Sequence, residues 1–235
     1  MRGCLLLHGF TGCPDEVYPL AEHLQARSDC QIHVPTLPGH GPGGNLKEVS
    51  WQDWLQFAEK EFLRMSQHCQ EMFVIGFSMG GMLAIHLAAR FASGVSRLVL
   101  LAPALFQPNT GQIWEDLVKL ISEYPREGKQ LKEQLERYKR KISTTPLRAV
   151  YQFRKLVKEA SASIPLVTCP VLIIQGKKDD VVLPESATYI YEHVQSARKE
   201  LLFLPESKHM LCHDVEKEKL FQMVERFLIH TENNG

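Results

Sequence analysis

Apolar residues gather into short, nearly unbroken runs along this chain, at residues 3–8, 31–35, 72–76, 97–102, 171–175 and 200–204. Most of them lack the polar alternation of a half-exposed strand, so they predict parallel strands covered on both faces. Between these runs apolar residues recur at helical spacing. Residues 15–26 place Val17, Leu20 and Leu24 on one face, and residues 51–66 do the same with Trp51, Trp54, Leu55, Ala58, Phe62 and Met65. Residues 79–91 are apolar and Ala-rich, the pattern of a helix packed closely on a sheet. Two further helices are predicted at 185–194 and 215–229. Strands separated by single helices imply right-handed βαβ crossovers and a doubly wound, mostly parallel α/β sheet of about six strands.

The alternation lapses once. Residues 106–165 contain no strand-like run, only helical patterns punctuated by Pro108, Gly111, Pro125, Gly128 and Pro146. Ile113, Trp114, Leu117, Leu120 and Ile121 make one apolar face; Leu131, Leu135, Tyr138 and Ile142 make a second, with Lys132, Glu133, Arg137 and Lys139 on its solvated side. Leu147, Val150, Tyr151 and Val157 outline a third. The chain therefore divides into an α/β core, residues 1–105 and 166–235, and a helical cap inserted at 106–165. The insert follows a strand end, where it can fold back over the C-terminal ends of the strands. Ligands bind at those ends in open α/β sheets.

The 235 residues suit one domain with ample material for a core. Lys plus Arg equals Asp plus Glu at 27 each, which gives no global field to attract nucleic acid or an anionic membrane. Cys4, Cys13, Cys30, Cys69, Cys169 and Cys212 are scattered, without a Cys-x-x-Cys pair, as free cysteines of a reduced protein are. Met1-Arg2-Gly3 leads straight into Cys4-Leu5-Leu6-Leu7, a run too short for an export signal or a membrane span. A cytoplasmic protein without stable membrane insertion is the expectation. No spacing of His, Cys, Asp and Glu offers a metal-ligand cluster.

Gly76-Phe77-Ser78-Met79-Gly80-Gly81 lies between the predicted strand at 72–76 and the predicted helix at 79–91. This is the Gly-x-Ser-x-Gly nucleophile elbow, a sharp strand-to-helix turn that lifts a serine hydroxyl clear of the sheet. Side chains at 76 and 80 would collide with the turn, so both positions require glycine. A serine hydroxyl is a weak nucleophile until a histidine takes its proton and a carboxylate orients that histidine. In elbow enzymes the order along the chain is Ser, acid, His. Asp179 and Asp180 follow the strand at 171–175, and spacing does not separate them. His209 follows the strand at 200–204 and precedes the last helix. His213 lies beyond it, in His213-Asp214-Val215-Glu216, which reads as a helix start with Asp214 as N-cap. Acyl transfer also needs oxyanion donors. The N–H of Met79 is one, and a tight turn permitted by Gly9 and Gly12 can aim the N–H of Phe10 as the second.

Together, His8-Gly9-Phe10-Thr11-Gly12, Pro38-Gly39-His40-Gly41, the elbow at 76–81, Gly176-Lys177-Lys178-Asp179-Asp180-Val181-Val182 and His209 resemble the bacterial carboxylesterase and monoacylglycerol-lipase group of the α/β-hydrolase superfamily. The resemblance spans almost the whole chain and is weakest in the insert. It implies Asp179 rather than Asp180 as the acid, His209 as the base, and a structural place for His40. It also aligns the first strand here with the family's third, implying a six-stranded core without the antiparallel hairpin that opens many members. Lys208 stands where the family usually has glycine.

The resulting expectation is a serine carboxylesterase without metal or organic cofactor, acting on a small-molecule ester. Ser78 attacks, His209 shuttles the proton, Asp179 orients His209, and Phe10 and Met79 hold the oxyanion. An apolar groove under the insert, drawing on residues such as Trp114 and Leu117, suits a short or medium acyl chain. A thioesterase, an acyltransferase, a serine aminopeptidase or a non-catalytic receptor on the same fold are the alternatives. The sequence leaves the oligomeric state open.

Overall fold

The computed structural model describes residues 1–105 and 145–229. The strands β1 (Arg2–Leu7), β2 (Gln31–His33), β3 (Glu71–Phe77), β4 (Arg97–Leu101), β5 (Val171–Gly176) and β6 (Lys199–Leu204) form one sheet in the order β2-β1-β3-β4-β5-β6, with every pair parallel. The helices are α1 (Tyr18–Arg27), α2 (Trp51–Ser66), α3 (Met79–Arg90), α4 (Leu147–Ser163), α5 (Glu185–His193) and α6 (Lys217–Ile229). The fold is that of an α/β-hydrolase core.

Side chains alternate across the sheet and build two apolar layers. Leu5, Leu7, Val74, Leu98, Leu100, Val171 and Ile173 face α2, α3, α4 and α5. Cys4, Leu6, Phe73, Ile75, Val99, Leu101, Leu172 and Ile174 face α1 and α6. Because both faces are covered, these strands carry no polar alternation, which is why they read as continuous apolar runs. α2 starts on a capping box, Ser50 accepting from the Asp53 amide while Asp53 accepts from the Ser50 amide.

Two helix starts differ from the sequence expectation. The segment expected to be helical from residue 15 is a 3-10 turn at Pro14–Glu16 followed by α1 from Tyr18. Pro19 is the cause: lacking an N–H, it fits only the first turn of a helix, so the helix cannot begin several residues earlier. α6 begins at Lys217, not 215, and Asp214 does not cap it with its side chain. The Asp214 carboxylate instead accepts from the amides of Lys208 and Val215, and a 3-10 turn at Leu211–His213 precedes it.

Of the segment expected as a cap, 147–163 is α4. It packs against α3 and α2 and buries Ala149, Phe153, Leu156, Val157 and Ala160 in the layer around the elbow helix. The faces expected around Ile113–Ile121 and Leu131–Ile142, with Trp114 and Leu117 among them, lie outside the described residues. Among the described residues no helix is long and apolar enough to cross a membrane.

Strand order places the site. From β1 the chain steps to β2 on one side, then crosses to β3 on the other, and every later strand adds beyond β3. The switch point is the crevice between the C-terminal ends of β1 and β3, where Leu7 pairs with Gly76. Doubly wound sheets bind their ligands at such a crevice.

Candidate active site

β3 runs out at Phe77 and α3 starts at Met79, so the chain reverses direction on Ser78 alone. Its backbone takes φ 54° and ψ −116°, a conformation that L-residues rarely adopt. Three main-chain bonds hold it there: the Ser78 N–H donates to Leu101 O at 2.9 Å, and Ser78 O accepts from Gly81 at 3.0 Å and Ala104 at 3.2 Å. A Cβ at Gly76 would stand 2.2 Å from Gly80 O, and one at Gly80 would stand 2.1 Å from Leu7 O. Backbone fills both places, so no larger residue fits there.

His209 Nε2 lies 3.1 Å from Ser78 Oγ, and His209 Nδ1 lies 2.8 Å from Asp179 Oδ2. All three residues are buried. Asp179 is encircled by donors. Its Oδ1 accepts from the amides of Val181 and Val182, both at 2.9 Å, and its Oδ2 also accepts from Gln175 Nε2 at 2.7 Å. Asp180 makes no hydrogen bond to His209, and burial raises its pKa. For Asp179 burial works in the same upward direction, but the His209 charge and hydrogen bond and the two valine amides outweigh it and hold the carboxyl below its usual range. For His209 burial disfavours the charged ring, and the Asp179 charge and hydrogen bond outweigh that, leaving the ring above the ordinary histidine value.

The loop carrying His209 is fastened on both sides. Gly176 lies so close under it that a Cβ would stand 2.4 Å from Ser207 O. Lys178 N–H donates to Ser207 O, Glu216 accepts from the Ser207 hydroxyl and the Glu206 amide, and Asp214 accepts from the Lys208 amide. Among the described residues the non-glycine positive φ angles fall at Thr11, Ser78 and Ala102, so Lys208 occupies its place without needing a glycine backbone. His213 turns away and its Nε2 lies 2.8 Å from Asp15 O.

The loop after β1 closes the other side of the crevice. Gly12 N–H donates to Gly9 O in the expected turn, but the positive φ of 60° belongs to Thr11, not to Gly9 or Gly12. Glycine is required at those two positions for close approach instead. A Cβ at Gly9 would lie 3.3 Å from the Ser78 Cβ, and one at Gly12 would lie 2.1 Å from the Glu16 carboxylate. His8 is fully buried, accepts from the Leu37 amide at Nε2 and therefore carries its proton on Nδ1, 2.9 Å from Gly9 O. With Gly9 O bound to that side by two donors, the trans peptide points the Phe10 N–H the opposite way. The Phe10 ring stacks on Phe153 of α4 at 4.7 Å and meets Trp54 and His40 edge-on. Met79 is the first residue of α3, so its N–H is one of the helix's unsatisfied N-terminal donors.

Sequence reasoning passed over Glu16 and Gln175. Gln175 is a fully buried amide at the end of an otherwise apolar strand, a signal that was available. Glu16 follows Asp15 behind a proline and looks like any acid in a solvated first helical turn; nothing in the sequence sets it apart. Among the described residues no group of three or more His, Cys, Asp or Glu is arranged to hold a metal ion.

Similarity to known proteins extends over most of the chain. Residues 2–216 match the family described as "Serine aminopeptidase, S33". The chain is 29% identical over 228 residues to a "Thermostable monoacylglycerol lipase" of Bacillus sp. (strain H-257), covering 94% of this chain and 87% of that protein. It is 26% identical over 231 residues to a "Carboxylesterase" of Bacillus subtilis (strain 168), covering 97% and 92%. Among solved structures it superposes on one from work on the metagenome-derived lipolytic enzymes LipS and LipT, with TM-score 0.78, 26% identity and coverage of 96% and 92%. The monoacylglycerol lipase of Paleococcus ferrophilus shares the fold at TM-score 0.72 and 19% identity, covering 94% of this chain and 91% of that one.

Proposed function

The chain belongs to the serine aminopeptidase S33 family of α/β-hydrolases, and within it we propose a serine carboxylesterase that hydrolyses short- to medium-chain carboxylic esters, monoacylglycerols among them. The observation that carries the reading is the unbroken chain of hydrogen-bonding distances from Ser78 Oγ through His209 to Asp179, 3.1 and 2.8 Å, at the sheet's switch point. Support for an ester rather than an amide comes from the relatives named as monoacylglycerol lipase and carboxylesterase.

In this reading Ser78 Oγ attacks the ester carbonyl as His209 Nε2 takes its proton. Asp179 keeps the other ring proton on Nδ1 and stabilises the imidazolium that forms. The carbonyl oxygen becomes an oxyanion between the N–H groups of Phe10 and Met79. His209 then returns its proton to the leaving alkoxide, which departs as the alcohol. A water molecule repeats the sequence on the acyl-enzyme, His209 accepting its proton, and the carboxylic acid leaves as Ser78 is regenerated. The insert expected at residues 106–165 contributes the cap over the acyl chain in this reading, α4 packing on the core, and Trp114 and Leu117 are its proposed contacts with the substrate.

A panel of p-nitrophenyl esters of graded acyl length, with a p-nitroanilide beside it, tests this reading. Ester turnover that peaks at short or medium chains and falls by about 10³-fold or more in Ser78→Ala is the expected result. Trp114→Ala or Leu117→Ala should shift the chain-length profile while sparing the shortest ester. Wild-type turnover in Ser78→Ala, or a preference for the anilide, would overturn the reading.

A further inference from the structure

Glu16 is a buried carboxylate in the 3-10 turn behind the β1 loop, in a position that the reaction above does not use. The loop is wrapped around it. Its Oε2 accepts from the Gly9 N–H at 2.8 Å. A Cβ at Gly12 would meet all three carboxylate heavy atoms at 2.1–2.2 Å, and one at Gly9 would meet Oε2 at 3.1 Å. Gly9 in turn lies against the Ser78 Cβ. The turn that carries Glu16 is itself anchored, by Val17 N–H donating to Pro14 O and by His213 Nε2 at Asp15 O.

Two successive peptide planes set where the Phe10 N–H points. The plane between Gly9 and Phe10 is fixed by the donors on Gly9 O, from His8 Nδ1 and Gly12 N. The plane between His8 and Gly9 is fixed by Glu16. An ionised acceptor on a backbone amide is among the stronger and more directional hydrogen bonds, so Glu16 is well suited to hold this loop still. We infer that Glu16 is a positioning residue, whose carboxylate fixes the Gly9–Gly12 turn for the oxyanion and, one residue removed from Ser78 through Gly9, adds a negative charge on that side of the triad.

The charged surroundings of His209 agree. Burial opposes its charged ring, Asp179 from the loop after β5 outweighs burial, and Glu16 adds in the same direction, followed by Asp180. Lys208, next to His209 on its own loop, is a nearby cation that acts on Asp180. Cys212, which also faces Glu16, stays a neutral thiol because burial first and Glu16 second push it up to about 12. The imidazolium formed during acyl transfer thus lies in the field of more than one carboxylate.

The inference rests on the serine mechanism proposed above, and the test separates the two. Glu16→Ala removes acceptor and charge together. It should lower kcat by about tenfold or more, short of the loss of a whole oxyanion donor, with KM little changed. Glu16→Gln keeps an oxygen for Gly9 and removes only the charge. It should recover most of kcat, yet shift the acid limb of kcat/KM down by about half a pH unit, the scale of one nearby charge in a partly polar interior. A loop contact of purely structural value would not move that limb. If Glu16→Ala fails to fold by circular dichroism, the pH profile of Glu16→Gln decides alone, and a profile superimposable on wild type overturns the inference. Should Ser78→Ala be inert while both Glu16 variants behave as wild type, Glu16 has no such role and the serine mechanism stands. If Ser78→Ala keeps wild-type turnover, the mechanism falls and the inference with it.

Discussion

Replacing Asp179 with asparagine changes little in volume and much in hydrogen bonding. Four donors converge on the carboxylate: the amides of Val181 and Val182 on Oδ1, Gln175 Nε2 on Oδ2, and His209 Nδ1 on Oδ2. Asparagine offers one oxygen and one NH₂ group. The two main-chain amides cannot turn, so the oxygen must face them and the NH₂ must face Gln175 and His209. Gln175 can turn its own amide over only by setting its oxygen against Gly176 O and Val182 O, to which its Nε2 now donates. His209 has one response. It can accept at Nδ1 only by moving its proton to Nε2, the nitrogen 3.1 Å from Ser78 Oγ, and that tautomer cannot take the serine proton. The loss should therefore approach that of the same change in an unrelated Ser-His-Asp triad, about 10⁴-fold in kcat or about 5 kcal/mol of transition-state stabilisation. Burst-free steady-state hydrolysis of a short p-nitrophenyl ester measures it, with the melting temperature confirming an intact fold. Asp180→Asn, made in parallel, should cost less than about threefold, since Asp180 makes no bond to the ring. An Asp179→Asn enzyme within tenfold of wild type, or a larger loss at position 180, would refute the tautomer argument.

Three further outcomes follow from the same site. Because His209 titrates above the ordinary histidine value and only its neutral form is a base, kcat/KM should fall on the acid side through a pKa above about 6.5. The stability of the pair runs the other way with pH. The raised His209 contributes fully below about 6.5 and is lost as pH rises through its folded value, whereas the lowered Asp179 contributes above about 3.9 and is lost as pH falls through its own. The melting-temperature advantage of wild type over His209→Gln should accordingly be greatest between about pH 4 and 6.5; an advantage that grew toward pH 8 would contradict this. Ser78→Gly should abolish ester turnover and yet raise the melting temperature by about 2–4 °C, since glycine removes about 1 kcal/mol of backbone strain; a lower melting temperature would refute the strain at the elbow.

The parts of this molecule that were legible in the sequence are those in which one physical requirement dominates. Strands buried on both faces are predominantly apolar, so β1, β3, β4 and β5 stand out as runs. Gly76 and Gly80 are forced by backbone contacts, so the elbow has a spelling. Ser78 and His209, picked out by motif and chain order, and Asp179, preferred over Asp180 only through the family resemblance, lie within hydrogen-bonding distance in the fold. The start of α6 was not legible, because Asp214 looks the same whether it caps a helix or holds the Lys208 amide. Glu16 was hidden for a similar reason: its burial depends on a loop folding around it, which no local pattern announces. Nor could the sequence show that Thr11, and neither flanking glycine, takes the positive φ.

The backbone at Ser78 exposes this position to two opposed kinds of selection. Selection for persistence of the folded chain favours glycine there, which has no Cβ to strain. Only selection for the serine hydroxyl opposes that drift, and it acts solely while the reaction matters to the host. The neighbouring glycines are under no such tension, because backbone contacts forbid larger residues at 76 and 80 whether or not the protein turns over substrate. In a lineage released from catalysis, the elbow would keep its two glycines long after it had lost the serine between them. Under the proposed mechanism, the serine at 78 is therefore a more sensitive mark of catalytic use than the glycines that surround it.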